Sequence, residues 1–289
     1  MQNQYDIVVV GAGPAGSSAA FSAAKNNAKV LLIDKKKVVG EPVQCAEYIP
    51  KLLLNQIHVS DSCIAQDIKG MKTFSINDEC FITDSPGYIL NREIFDKELV
   101  KKATDAGSTL LLNTTFISKH NNKIQILENR EKKIVTSKII IGADGPRSTV
   151  GNMINSVNTS FIMGVQQSVP LISAKKHTRV YFNSKFYGGY AWMFPKKETA
   201  NVGVGIRQGT PRDNIHKLLD EFTKFLEKEN IVTNNPVLKT SGLIPVGGFL
   251  QSVKETVLIV GDAAGQTHPI TGGGIPQAVI CGRIAGETA

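Results

Sequence analysis

Residues 5–16 read Tyr5-Asp6-Ile7-Val8-Val9-Val10-Gly11-Ala12-Gly13-Pro14-Ala15-Gly16. The apolar, β-branched run predicts a buried strand, and it passes directly into glycines spaced GxGxxG and then into the small residues of a helix over 14–26. Each glycine has its own reason: Gly11 permits a tight turn, Gly13 lets the backbone approach a pyrophosphate, and Gly16 lets helix and strand pack closely. The helix N-terminus, which opens at Pro14, offers free N–H groups from Ala15 onward and partial positive charge to an anion. A second strand over 29–33 ends at Asp34, 18 residues after Gly16, where a carboxylate accepts ribose hydroxyls and repels a 2′-phosphate. The stretch therefore predicts a βαβ dinucleotide site that takes FAD or NAD in preference to NADP, with Lys35 beside the acidic residue.

Composition bounds the class around this unit. The 289 residues can bury a large core as one large or two modest domains, and 42% hydrophobic against 20% charged residues excludes a disordered chain. The net charge of +8 is spread through short groups such as Lys35-Lys36-Lys37, Lys132-Lys133 and Lys175-Lys176. No aromatic-interleaved basic tract accompanies it, so no nucleic-acid role is expected. Cys45, Cys63, Cys80 and Cys281 have neither CxxC spacing nor framework density, so neither a metal site nor structural disulfides are expected, and a reducing cytoplasm is. Gly11, Gly13, Pro14 and Gly16 interrupt the uncharged stretch from Ile7 to Ala24, which argues against a membrane span. No charged segment precedes it as in a signal peptide.

Farther along, apolar Ile94, Phe95, Leu99 and Ala103 mark one face of a helix over 91–106, and runs at 108–112, 114–119, 123–128 and 133–141 predict a small antiparallel meander returning to the main sheet. Strands at 179–182, 190–194 and 201–206, then a helix over 211–229, predict a mostly β second domain. A strand over 256–260 and a helix from Ile275 close the pattern.

Two strands end in glycine-rich turns: Ile139-Ile140-Ile141-Gly142-Ala143-Asp144-Gly145-Pro146-Arg147-Ser148 and Val257-Leu258-Ile259-Val260-Gly261-Asp262-Ala263-Ala264-Gly265. With GxGxxG they resemble the flavoprotein superfamily typified by the aromatic hydroxylases, in which these two motifs close FAD. The resemblance implies an α/β fold: a Rossmann-like FAD-binding domain over 1–160 and 240–289, and an inserted, mostly antiparallel β substrate domain with one helix over 161–239. It also implies that Asp144 and Gly145 meet the cofactor, that Asp262 bonds the ribitol hydroxyls, and that Gly273, Gly274 and Ile275 bring backbone N–H groups to the flavin ring. Arg92 matches the RxxFDxxL pattern of the superfamily and would reach the cofactor from a helix start, although residue type alone also allows a surface arginine. Phe116 takes the strand position whose backbone meets the adenine, with its side chain read as core.

Within the superfamily the chain is similar, over nearly its whole length, to the geranylgeranyl reductase family. Tyr190-Ala191-Trp192-Met193-Phe194-Pro195 reproduces its YxWxFP motif, so by resemblance Tyr190, Trp192 and Phe194 line the substrate cavity. Glu41-Pro42-Val43-Gln44-Cys45-Ala46-Glu47 resembles its flavin-side loop and sets Cys45 and Ala46 near the isoalloxazine ring; many relatives read Cys-Gly-Glu there, so Ala46 departs from the pattern. The implied activity is saturation of prenyl C=C bonds in a prenylated lipid, with hydride from reduced FAD and NADPH or reduced ferredoxin as electron donor. Peripheral membrane contact is implied with it.

An unactivated alkene accepts hydride only if a proton adds to the other carbon. The reading assigns proton assistance to Cys45 or a water it holds, and gives Tyr190 and Trp192 apolar walls and negative ring faces toward developing positive charge. Plain core packing of the aromatics, an inert Cys45 and a structural His268 are the competing readings. So are a flavin hydroxylase using oxygen and NADPH and a flavin binder without turnover. Family members continue past the glycine loop with more helices, so the resemblance implies that these are missing here and that exposed apolar surface would need a second copy or a membrane.

Overall fold

The computed structural model describes residues 3–54, 57, 59–77, 79–209 and 214–289. Its α-helices are α1 (Pro14–Lys25), α2 (Arg92–Asp105), α3 (Thr149–Met153), α4 (Ile215–Lys228) and α5 (Ile275–Thr288). The predicted start of the fourth helix at Pro211 lies outside the described residues. The chain divides into two compact units: Met1–Glu41 with Glu93–Thr159 and Pro245–Ala289, and Pro42–Arg92 with Ser160–Ile244.

In the first unit the strand order is Val253–Lys254, Val257–Ile259, Glu131–Gly142, Gln4–Val10, Val30–Ile33, Thr109–Leu111. All neighbours are parallel except the edge hairpin of Val253–Lys254 with Val257–Ile259. The central strands carry continuous buried apolar runs, Ile7 to Val10 and Val30 to Ile33, as a sheet covered on both faces requires. The chain first winds outward from Gln4–Val10 through Val30–Ile33 to Thr109–Leu111, then returns on the other side at Glu131–Gly142. That reversal is a topological switch point, where open α/β sheets bind ligands beyond the carboxyl ends of their strands. The predicted meander is present: Thr114–His120 pairs with Lys123–Glu128, which pairs with the long strand Glu131–Gly142 of the main sheet.

Small residues set how the helices cover this sheet. A Cβ at Gly282 of α5 would collide with the Ala15 carbonyl of α1, and one at Gly286 with that of Ala19. The two helices therefore cross backbone to backbone, which only glycine on one side and alanine on the other allows. Ala15 itself is buried in this contact.

The second unit is built on a sheet ordered Leu238–Pro245, Phe161–Pro170, Thr199–Arg207, Ala191–Lys196, His177–Tyr181, Gly70–Phe74, Cys80–Thr83. Alternation gives it two different faces. Val165, Val169, Ala191, Met193, Val202 and Val204 pack under α4, whose buried residues Leu218, Leu219, Phe222 and Leu226 recur at helical spacing. The opposite face carries Gly164, Gln166, Trp192, Phe194, Asn201 and Gly203.

The division differs from the expected one at residues 42–92, which group with the second unit. Gly70–Phe74 lies parallel to His177–Tyr181 in that sheet, and Tyr48–Pro50, Ile64–Ile68 and Gly87–Leu90 form a small sheet beside it. A parallel pairing between strands this distant in sequence leaves no local turn signal to read. No described helix is long and apolar enough to cross a membrane, and all four cysteines are free thiols.

Candidate functional site

The switch point of the first unit is built from the opening motif. Gly11 has φ +106° and its N–H donates to the Ile33 carbonyl at 2.7 Å, while the Ala143 N–H donates to the Val10 carbonyl at 2.7 Å. A Cβ at Gly11 would strike the Ala143 carbonyl, and one at Gly16 would strike the carbonyl of Gly11. Gly13 is different: a Cβ there would meet nothing within 4 Å. It is also the N-cap of α1, with no side chain capping the helix and Pro14 in its first turn. The first intrahelical donor is Ser17, to the Gly13 carbonyl at 2.9 Å, so the N–H groups of Ala15 and Gly16 face the open space beside Gly13. Open volume in front of uncapped N–H groups fits a pyrophosphate.

Asp34 stands over the same loop. Its Oδ2 accepts the Ala12 N–H at 2.7 Å and its Oδ1 the Lys36 N–H at 2.8 Å. These bonds fix the carboxylate, and each oxygen keeps a lone pair for a ribose hydroxyl. Lys35 is exposed.

The second and third glycine turns divide into structural and open parts. The Asp144 carboxylate is taken up locally: Oδ1 accepts the Ser148 hydroxyl at 2.5 Å, and Oδ2 accepts the N–H groups of Thr149 at 2.7 Å and Val150 at 3.2 Å. It caps α3. Gly145, at φ +86°, has open space where a Cβ would stand. Asp262 accepts the Thr267 hydroxyl at Oδ1 (3.0 Å), and its carbonyl accepts Asn158 Nδ2 (2.8 Å). A Cβ on Gly274 would come within 3.3 Å of the Asp262 carboxylate, so the fold brings Asp262 to Gly273, Gly274 and Ile275 at the uncapped start of α5. His268 braces this loop through its Nδ1, which accepts the Thr271 N–H at 3.2 Å, and through its backbone N–H, which donates to the Gly273 carbonyl at 2.9 Å. Phe116 is buried among Ile124, Ile126 and Val135, a core side chain.

In the second unit the turn at Cys45, Ala46 and Glu47 is joined to the aromatic strand. The indole Nε1–H of Trp192 donates to Gln166 Oε1 at 2.9 Å, and Gln166 Nε2 donates to the Cys45 carbonyl at 3.0 Å. Asn201 Nδ2 donates to the Ala46 carbonyl at 3.3 Å and to Glu47 Oε2 at 2.8 Å. Glu47 is 3% exposed and carries φ +70°, a conformation unusual for any residue other than glycine. Its carboxylate accepts both the Lys196 ammonium, at 2.7 and 2.9 Å, and the Arg92 N–H at 3.1 Å. Glu47, Gln166, Lys196 and Asn201 carry this network; in the sequence Glu47 stands out only as the last residue of the loop motif, and Gln166, Lys196 and Asn201 carry no expected role. A second local signal is Lys196, a cation placed directly after a buried strand motif.

The aromatic residues sit at different depths. Trp192 and Phe194 are buried with Ala65, Ile68, Ile89 and Val180, and the indole lies so close over Gly203 that any Cβ there would collide with the ring. Tyr190 is half-buried and meets Trp192 edge-on, with ring centroids 5.9 Å apart. Burial pushes its phenol up to about 12, with the Cys45 sulfur adding to the shift. Burial of the Cys45 sulfur raises its thiol above the usual range, and the Glu47 carboxylate adds to the rise; the neighbouring Arg92 guanidinium and the Glu47 N–H, 3.2 Å from the sulfur, oppose it. Both shifts favour the neutral, protonated form.

Comparison with known proteins places this arrangement. The family model for the geranylgeranyl reductase catalytic domain matches residues 162–243, and that for FAD dependent oxidoreductases matches residues 6–43. The chain is 35% identical to digeranylgeranylglycerophospholipid reductase of Methanocaldococcus jannaschii, across 100% of this chain and 78% of that protein. Its counterpart in Methanosarcina acetivorans is 36% identical across 100% of this chain and 76% of that protein. The crystal structure of a geranylgeranyl bacteriochlorophyll reductase-like protein from Thermoplasma acidophilum superimposes with a TM-score of 0.91 at 30% identity, covering 99% of this chain and 78% of that one. A flavin-dependent brominase, at 18% identity and a TM-score of 0.78 over 98% of this chain and 79% of its own, shares the fold alone. Glycine turns shaped for a dinucleotide, the YxWxFP strand and relatives more than a third identical along the full chain make one assignment: the chain belongs to the geranylgeranyl reductase family of FAD-dependent oxidoreductases.

Proposed function

We propose that the protein is an FAD-dependent reductase that saturates isoprenoid C=C bonds of a geranylgeranyl-bearing lipid, drawing electrons from NADPH or a reduced ferredoxin and meeting its substrate by peripheral contact with the membrane. The observation that carries this reading is the tie from Trp192 through Gln166 to the Cys45 carbonyl, which fixes a neutral thiol to the sheet face bearing Tyr190.

When bound, reduced FAD supplies the hydride. Gly13 and the N–H groups of Ala15 and Gly16 would hold its pyrophosphate, and Asp34 its adenosine ribose. Asp262 would hold the ribitol chain, with Gly273, Gly274 and Ile275 lying against the ring. Gly145 would close the crevice, while Asp144 acts by capping α3.

Hydride on one alkene carbon must be matched by a proton on the other, and in this account Cys45 delivers it, directly or through one water. Raised pKa values keep Cys45 and Tyr190 protonated at neutral pH, and the Arg92 guanidinium stabilises the thiolate left behind. Tyr190, the most exposed of the three motif aromatics, turns apolar surface and a ring face toward the carbon on which positive charge develops, while Trp192 and Phe194 hold it from below. The test is the Cys45→Ser variant with FAD bound: prenyl reduction should fall roughly tenfold or more. Unchanged turnover would remove Cys45 from the mechanism.

A further inference from the structure

Glu47 is a buried carboxylate that neither binds the dinucleotide nor carries a proton in the scheme above, yet four donated hydrogen bonds from three segments converge on it. Lys196 comes from the end of the YxWxFP strand, Asn201 from the strand paired with it, and the Arg92 amide from the start of α2. Glu47 also closes the turn back on itself, because its own N–H donates to the Cys45 sulfur. The left-handed backbone at Glu47, which glycine adopts freely, is here occupied by a residue whose side chain alone can make these contacts.

From this geometry we infer that Glu47 is a positioning residue for Cys45, acting with Lys196 and Asn201 to set the thiol and the Arg92 guanidinium at a fixed separation. The inference rests on the proposed role of Cys45 only for its effect on turnover; the clamp itself can be read without it. Two conditions have to hold together at the sulfur. Burial and the nearby Glu47 carboxylate must keep the thiol protonated, and a cation must be close enough to stabilise the charge when the proton leaves. One carboxylate meets both, since it anchors the turn through Asn201 and Lys196 and anchors the Arg92 backbone through its Oε1. A glutamine at position 47 keeps the shape but loses the charge that Lys196 requires, and an aspartate is too short to span Asn201 and the Arg92 amide at once.

The experiment is thiol labelling of the flavin-loaded protein with iodoacetamide, read at each cysteine by peptide mass spectrometry, in wild type, Glu47→Gln and the milder Asn201→Ala. Cys63, fully buried in the same unit, reports global opening. The clamp predicts that Cys45 labels roughly tenfold faster in Glu47→Gln while Cys63 stays protected, and that kcat falls about tenfold with KM within about threefold; because the Glu47 charge also raises the thiol directly, Asn201→Ala, which keeps that charge, separates positioning from charge. Asn201→Ala should move both quantities in the same direction by less, which keeps the test available if Glu47→Gln does not fold. Labelling of Cys45 at the wild-type rate in both variants, or acceleration of Cys45 and Cys63 together, overturns the inference. Faster Cys45 labelling with turnover unchanged in both Glu47→Gln and Cys45→Ser supports the clamp and sinks the catalytic role of Cys45.

Discussion

Trp192 and Gln166 share a buried hydrogen bond of 2.9 Å, and through the other end of the same amide the indole is coupled to the turn that carries Cys45. An aromatic strand motif that would otherwise be packing alone thus determines where a thiol stands. Removing either partner leaves a buried polar group unmet.

Trp192→Phe strands Gln166 Oε1, and Gln166→Leu strands both the indole N–H and the Cys45 carbonyl. Each should cost about 1–3 kcal/mol for the unmet group, on top of any lost packing. The double variant should cost less than the sum by about 1 kcal/mol, because the bond can be lost only once. Urea unfolding of the four proteins measures this, and strict additivity would mean that the pair is not coupled.

Gly203 and Gly164 both lie under the indole but differ in clearance. A methyl at 203 falls on the ring, whereas one at 164 stands 3.7 Å from Trp192 Cη2 in ordinary contact. Gly203→Ala should destabilise by about 1–3 kcal/mol through overpacking, and Gly164→Ala should stay within about 0.5 kcal/mol of wild type. Equal effects in thermal or urea unfolding would contradict the placement of the ring.

Asp34→Asn exchanges one carboxylate oxygen for an amide that cannot accept from a backbone N–H, so either the Ala12 or the Lys36 contact is lost along with a ribose acceptor. FAD affinity should drop roughly tenfold or more. FMN, which has no adenosine, should bind wild type and variant alike. Flavin fluorescence titration separates the two ligands; an equal loss for FMN would show that Asp34 acts on loop stability instead of the ribose.

Burial raises the Cys45 thiol, and a raised pKa in an acid means that its protonated form persists to higher pH. If Cys45 delivers the proton, single-turnover alkene reduction should hold its rate through the ordinary thiol range near about pH 8.5 and decline only above it. The same profile in Cys45→Ser isolates the contribution of the thiol from that of the flavin. A wild-type limb centred at or below the ordinary thiol range would contradict the assignment.

Much of the first unit is legible in the amino-acid sequence because its constraints are local. Gly11 and Gly16 are dictated by carbonyls that any Cβ would strike, whereas Gly13 borders open space. Spacing within one βαβ unit reports such constraints directly. The grouping of residues 42–92 is not legible in that way, since their strands are three to five residues long and one pairs in parallel with His177–Tyr181 across a long sequence separation. The Glu47 network is hidden for the same reason: its partners Lys196 and Asn201 lie 149 and 154 residues away, and a polar cluster assembled by tertiary structure has no period. Asp144 shows the opposite case, a motif residue whose carboxylate is taken up by Ser148 and the first N–H groups of a helix.

The central claim is that this chain reduces prenyl double bonds, and the direct measurement is anaerobic. The purified protein is loaded with FAD, reduced with dithionite and mixed with a geranylgeranyl-bearing glycerophospholipid, while flavin absorbance and lipid mass are followed together. A prenyl reductase reoxidises its flavin as the lipid gains about two hydrogens per turnover. Flavin that stays reduced in the presence of the lipid, with no change in lipid mass, would contradict that claim.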